Sequence, residues 1–217
     1  ATMMVALVTA VYGDYDTLKP IEFQSVAVDP VCVTDDPNLT SPYWRVIYEP
    51  HPNEHPNRAA KRAKMCPWRY TDSHESIWLD ASFRVSSPSF VEEVMPYADP
   101  IAQWEHPWRD DLYEEAAASM EMGKYISEPI VLQVAHYRAL GIPEHWGLWS
   151  GGVIVRRHTG SVRSFGEHRL RECQRWSFQD QVSEPMVLRH HQLRPTALPG
   201  GIWSNEWLSY EASGRHG

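Results

Sequence analysis

One carboxylate stands out by its setting. In Glu75-Ser-Ile-Trp-Leu-Asp-Ala-Ser82 a short apolar run ends on Asp80, and a hydroxyl follows at Ser82. A buried strand of this kind delivers one Asp to the rim of a sheet, and open α/β sheets bind ligands beyond the carboxyl ends of their strands. A carboxylate there can hold a hard cation, and the cation can hold phosphate oxygens. An Asp that merely caps a turn explains the same residues. Asp35, with Asp36-Pro37 behind it, closes the apolar run 30–34 in a comparable way: it can accept hydrogen bonds from a base or a ribose, or close an ordinary turn. Arg58, Lys61, Arg62 and Lys64 put four cations within two turns of an expected helix, the first three on one side at i, i+3, i+4. Such a cluster can neutralise a diphosphate near Asp80 or form a solvated basic face. His106, Arg109, Asp110 and Glu114 crowd the end of another apolar run, as a polar site or a hydrogen-bonded network. His51 and His55 are four apart, but Pro52 and Pro56 forbid the helix that would align them, so a loop is expected there.

The elements that must position these groups alternate. Strands are expected over 4–11, 30–34, 44–48, 77–79, 100–104 and up to 155. Helices are expected over 57–65 with Asn57 as cap, then 89–95, 112–122, 128–140, 161–175 and 182–191. Gly13, in the loop Tyr12-Gly13-Asp14, allows either close backbone approach or a plain turn, and Gly151-Gly152 do the same before a later strand. The alternation implies a mostly parallel α/β sheet in a single domain. The stretch from 199 on is rich in Gly, Ser and Trp and is expected to be an irregular tail, so the domain is drawn as 1–198.

The totals bound the function. The 217 residues carry a net charge of −8, so general nucleic-acid binding is disfavoured. Residues 156–217 hold 9 Lys+Arg against 6 Asp+Glu, which leaves room for an anionic acceptor or for a solvated mixed surface. Three widely spaced Cys form no disulfide framework and no zinc ribbon, and they fit a reducing, cytoplasmic setting. No apolar run reaches membrane-spanning length. Neither GxGxxG nor GxxxxGK[ST] occurs, which argues against a dinucleotide enzyme or a P-loop NTPase; no GxSxG elbow occurs either.

Seven segments in order resemble a known family. They are Ala10-Val-Tyr-Gly-Asp-Tyr-Asp16, Val31-Cys-Val-Thr-Asp-Asp-Pro37, His55-Pro-Asn-Arg-Ala-Ala-Lys-Arg-Ala-Lys64, Ser76-Ile-Trp-Leu-Asp-Ala-Ser82, His106-Pro-Trp-Arg-Asp110 with Tyr113-Glu-Glu115, Gly147-Leu-Trp-Ser-Gly-Gly-Val-Ile-Val-Arg-Arg-His158, and Gln179-Asp-Gln181. The pattern is similar to a glycosyltransferase-like family, formerly a domain of unknown function, with plant members linked to pectin and mucilage and with bacterial and phage members.

The resemblance implies a GT-A-like fold and sugar transfer from a nucleoside diphosphate donor, UDP favoured, to a hydroxyl. It implies Mn²⁺ or Mg²⁺ at a DxD-type motif. Here that motif reads Asp80-Ala81-Ser82, so Asp80 is the one carboxylate ligand and Ser82 offers a hydroxyl. Val11, Tyr12, Gly13 and Asp35 should border the nucleotide, and Arg58, Lys61 and Arg62 the diphosphate. Trp149, Ser150, Gly151, Gly152 and Gln181 should line the sugar and acceptor side, with His106, Arg109 and Asp110 nearby. Asp180 matches the catalytic-side carboxylate, a base if the reaction inverts. The acceptor is open among a polysaccharide, a protein side chain and a modified phage DNA base; no membrane partner is expected. Two alternatives of other classes stand beside this reading. One is a non-catalytic nucleotide-sugar or carbohydrate-binding module. The other is a nucleotidyltransferase, which the lack of a Gly-rich phosphate loop disfavours.

Overall fold

The Val-rich run near the start forms strand β1 (Val5–Val11), buried along nearly all its length, as a strand covered on both faces must be. A computed structural model of the chain describes residues 3–213. β1 pairs in parallel with β2 (Val28–Thr34) on one side and with β4 (Glu75–Leu79) on the other. β2 in turn carries β3 (Arg45–Tyr48). Beyond β4 the direction reverses: β7 (Val153–Arg157) is antiparallel to β4 and to β6 (Ile101–Gln103), and β8 (Thr196–Ala197) closes the edge. The seven-stranded order is β3-β2-β1-β4-β7-β6-β8. The sheet is mostly parallel, as its alternating pattern predicts, and helices flank it in a single domain. Among the described residues no helix is long and apolar enough to cross a membrane.

Strand periodicity divides the core. Val8, Trp78 and Ile154 face one layer with Phe165 and Val187. Leu7, Ile77, Leu79 and Val153 face the other with Phe90 and Trp104. The first layer holds α1 (Pro56–Ala59), α2 (Lys61–Met65), α4 (Leu112–Met120), α5 (Ile130–Ala139), α6 (Gly160–Arg175) and α7 (Asp180–His190). The second is covered by α3 (Phe90–Val94) and by the C-terminal segment.

Two expectations need correction. The helix expected over 57–65 begins earlier and divides at Ala60; its cap is His55, whose Nδ1 accepts from the Asn57 amide at 3.1 Å, not Asn57. Pro56 takes the first helical position, where its missing N–H costs nothing. The segment 199–217 is not simply an irregular tail. Leu208–Tyr210 form β9, antiparallel to β5 (Phe83–Val85), and Ile202 and Trp207 belong to the core. The Trp207 indole donates to Glu93 at 2.6 Å and packs near Phe90 and Trp104. Isolated apolar anchors among Gly and Ser leave no periodic trace, so the pattern hides them. Residues 214–217 of that segment lie outside the described residues.

Trp207→Ala is expected to lower stability by about 3 kcal/mol, as loss of a buried aromatic does. Urea unfolding followed by far-UV circular dichroism measures it. A loss near zero would return the segment to the status of an appendage.

Candidate active site

β1 and β4 are parallel neighbours and end side by side, and a cavity of about 430 Å³ opens beyond their carboxyl ends. Asp80 follows β4 directly and lines it, with Val11 and Tyr12 from the end of β1. The Asp80 side chain remains 40% exposed, so one carboxylate does reach solvent at the strand rim. Its Oδ1 accepts from the Trp78 indole at 2.7 Å, and its Oδ2 has no hydrogen-bond donor among the described residues.

A buried lysine organises the floor. Lys64, on α2, is only 5% exposed. Its Nζ lies 2.8 Å from Asp180 Oδ2 and 3.7 Å from Asp80 Oδ1. Lys61, one turn earlier on the same helix, reaches Asp180 Oδ2 at 3.1 Å. Asp180 is the first residue of α7, where the positive end of the helix dipole favours an anion. Burial by itself would raise its pKa, but Lys61, Lys64 and Arg169 outweigh burial and hold it well below the usual carboxylate range. Burial likewise works against the Lys64 charge, and Asp180 and Asp80 overcome it, so its pKa is raised. Asp180 and Lys64 therefore both stay ionised across neutral pH. Gly151 is part of the same packing: a Cβ there would stand 2.9 Å from Lys64 Nζ and 3.3 Å from Asp180 Oδ1.

A second hub sits on the opposite wall. Glu115, on α4, is 4% exposed. Its Oε2 receives Arg109 Nε at 2.7 Å and lies 3.3 Å from His106 Nε2. Its Oε1 accepts from the Gln181 and Gln179 amides at 3.0 and 3.3 Å. Gln181 Oε1 then accepts from the Gly151 amide at 3.0 Å, which ties the two hubs together. His106 Nδ1 accepts from the Trp108 and Arg109 amides. Burial lowers the His106 pKa, so its ring is neutral at pH 7. Lys124 also lines the cavity and has no ion-pair partner among the described residues. Burial, then the nearby Lys61 ammonium, lowers its pKa.

Not every expected residue comes to this place. Val11, Tyr12, Lys61, Asp80, Ser82, His106, Arg109, Ser150, Gly151, Gly152, Asp180 and Gln181 all line the cavity. Gly13 and Asp35 line an adjoining pocket of about 630 Å³, which shares Val11 and Asp16 with the first. There the Asp35 carboxylate accepts from the Gly13 amide at 3.0 and 3.2 Å. Gly13 has φ +64° and a Cβ would collide with Pro56, so the turn requires glycine. Arg58 and Arg62 stand outside. Arg58 pairs with Glu128 at 2.6 Å, and Arg62 grips Glu54 at 2.5 and 2.6 Å. Trp149 is a core residue stacked edge-on to Trp146. Asp110 is a surface partner of His145 at 2.7 Å. Lys124, Glu115 and Gln179 are cavity residues that the sequence reading leaves out of the site, and Lys64, named there only within the basic cluster, lies at its floor.

The donor set bears on a metal in one way only. The cavity's buried carboxylates are already engaged: Asp180 by two lysines, Glu115 by His106, Arg109 and two amides, and Asp16 by Lys19 and the Thr17 amide. No metal-type cluster of three ligands among the described residues includes Asp80. The residues do not make a resident cation cage. They fit an ion that arrives with a diphosphate, since Mg²⁺ is commonly held by one or two carboxylates, substrate phosphates and water.

A sheet of this order with a charged cavity at its parallel strand ends defines an α/β domain whose ligand site lies beyond the strand ends. The chain belongs to the TOD1/MUCI70 glycosyltransferase-like family, which it matches over residues 33–198. The match starts within β2, so β1 and its loop join the site through the sheet register alone. No curated protein matches the chain. Among solved structures it is similar to the apo structure of WbbM, a bifunctional glycosyltransferase. The likeness has 12% identity and a TM-score of 0.51, and it covers 91% of this chain but 39% of that one. It is a likeness of fold.

Asp180→Asn is expected to cost about 3 kcal/mol, because it leaves two ammoniums in a buried place without their carboxylate. The sign with pH follows from the lowered pKa. Stability from Asp180 is fully present above its ordinary value of 3.8 and is lost as pH falls below it. The gap between wild type and variant in denaturant unfolding should therefore hold from pH 7 to about pH 4 and begin to narrow between pH 4 and pH 3. A gap that stays constant with pH would contradict the ion-pair origin.

Proposed function

We propose that this protein is an enzyme that transfers a sugar from a nucleoside diphosphate donor, UDP-linked by preference, to an acceptor hydroxyl. The observation that carries the reading is the cluster of Lys61, Lys64 and Asp180 beside Asp80, set at the parallel strand ends of a glycosyltransferase-like domain. The donor diphosphate lies against Lys61, Lys64 and Lys124, the last without an ion-pair partner among the described residues. The nucleoside extends past Val11 and Tyr12 toward Gly13 and Asp35. In the reaction the bond between the anomeric carbon and the diphosphate oxygen breaks, the acceptor oxygen bonds to that carbon, and the acceptor hydroxyl gives up its proton to the released diphosphate or to water. Negative charge gathers on the leaving diphosphate, where preorganised ammoniums stabilise it most. Mn²⁺ or Mg²⁺, held by Asp80 and the donor itself, supplies further charge neutralisation when bound.

Asp180 acts through the lysines it holds. A carboxylate pinned well below its usual pKa by two ammoniums is a weak proton acceptor. It is a positioning residue in this proposal, not the general base. The acceptor side is lined by Ser150, Gly151, Gly152 and Gln181 and rimmed by Trp108 and Trp203, which are 71% and 52% exposed. Exposed indoles at the mouth of a polar cavity suit a sugar ring, whose C–H face packs on an aromatic one. A carbohydrate acceptor is therefore favoured over a protein side chain or a DNA base.

Saturation of Asp180 and Glu115 favours one second reading, a nucleotide-sugar-binding module without turnover. Release of nucleoside diphosphate from a panel of nucleotide sugars, with Mn²⁺ and oligosaccharide acceptors, separates the two. Turnover supports the enzyme; tight donor binding without turnover supports the module. Gly151→Ala should leave the fold intact and weaken donor binding about tenfold or more, because its methyl displaces the flexible end of Lys64. Unchanged donor affinity would remove Lys64 from the donor site. Lys124→Ala should raise donor KM at least as strongly, whereas Arg62→Ala should leave donor KM unaltered.

A further inference from the structure

Far from the cavity, at the other end of α7, three imidazoles converge. We propose that His168, His190 and His191 form a binding site for a divalent transition-metal ion that joins α6 to the end of α7. One nitrogen from each ring lies within 4.8 Å of the other two. His168 Nδ1 and His191 Nε2 are 3.1 Å apart, close to the separation of two nitrogens sharing a tetrahedral ion at Zn–N distances of about 2.0–2.1 Å. The ring centroids of His168 and His190 are 4.9 Å apart, and those of His190 and His191 5.0 Å.

The surroundings suit ligation. His168 and His191 are half-buried and His190 is exposed, so the site has fixed ligands and an open solvent side. Burial and the neighbouring imidazoles keep His168 neutral, its pKa lowered to about 4, and neutral imidazole is the ligating form. If Nδ1 of His168 faces the ion, Nε2 faces Glu172, whose Oε1 is 3.8 Å away. At that distance Glu172 acts on the ring by its charge and not by a hydrogen bond, which favours a cation on the far nitrogen. Glu172 is itself held: Tyr137 donates to its Oε2 at 2.6 Å, and Gln133 donates to Tyr137 at 3.1 Å. Three imidazoles select Zn²⁺, Co²⁺, Ni²⁺ or Cu²⁺ over Mg²⁺. The site is separate from Asp80 in place and in chemistry, since α7 is 11 residues long and spans about 15 Å between Asp180 and His190. An ion here would pin the end of α7 whose other end carries Asp180, and Arg169, beside His168, already donates to the Asp180 carbonyl at 3.2 Å.

The test titrates the full chain, without nucleotide, with Co²⁺ and Zn²⁺. Visible absorption of bound Co²⁺ and thermal unfolding in Zn²⁺ are the readouts. The expected result is one ion per chain, with dissociation near or below about 10 µM and a Tm rise of roughly 5 °C in excess Zn²⁺. His168→Ala and the exposed His190→Ala should each weaken binding at least tenfold. His145→Ala, at the separate Asp111–Glu114–His145 group, should leave it intact. His190→Ala keeps the test valid should His168→Ala not fold. Weaker binding than this, binding that survives both triad variants, or loss of binding in His145→Ala would each overturn the proposal.

Discussion

The ammonium of Lys64, nearly buried between Asp180 and Asp80, is the constraint on which the rest of the site depends. A lone charge in that position would be costly enough to neutralise itself. Two carboxylates and a polar cavity keep it ionised, and in return it fixes where they lie. α2 must pack on the sheet so that Lys64 reaches under the strand ends. α7 must start at Asp180, with its dipole pointed inward. The turn before β7 carries two glycines: a methyl at Gly151 would displace the ammonium, and one at Gly152 would meet Ile202 and Phe83. Three elements distant in sequence are thus set by one charge.

The same cluster divides the cavity by role. The lysine side presents cations beside Asp80, and Lys124 has no ion-pair partner there among the described residues. The Glu115 side is a closed network of His106, Arg109, Gln179 and Gln181 in which every strong acceptor already has its donors. Such a network holds shape well and transfers protons poorly. The link through Gln181 to the Gly151 amide joins the two sides, so a shift of the turn is felt by both. The lysine side offers charge where a leaving diphosphate would need it, and the aromatic rim offers faces where a sugar would rest.

Much of this was legible from residue pattern. Asp80 at the end of an apolar run, Asp35 closing the next strand and Gly151-Gly152 before β7 are all local features, and their positions follow strand logic. The basic helix was legible as a helix but not as a surface. Arg58 and Arg62 repeat at i, i+4, while Lys61 and Lys64 repeat at i, i+3, and spacing does not say which row meets the sheet. The answer lies in Glu128 and Glu54, which capture the arginines. Glu115 left a fainter trace: it shares a helical stripe with the buried Leu112, Ala116 and Ser119, and a carboxylate on such a stripe needs partners. Its partners come from residues 106–109 and 179–181, which only the fold brings together. Trp149 and Asp110 sit in motifs that reach the cavity through their neighbours, while their own side chains turn into the core and out to solvent.

The central claim is that the Lys64 cluster receives a diphosphate. A crystal structure of the full chain with UDP and Mg²⁺ tests it most directly. The account predicts phosphate oxygens within hydrogen-bonding distance of Lys64 Nζ and Lys124 Nζ, with Asp80 Oδ2 facing the ion or its water. A diphosphate bound elsewhere, with Lys64 still enclosed between Asp80 and Asp180 and no phosphate near it, would contradict the account.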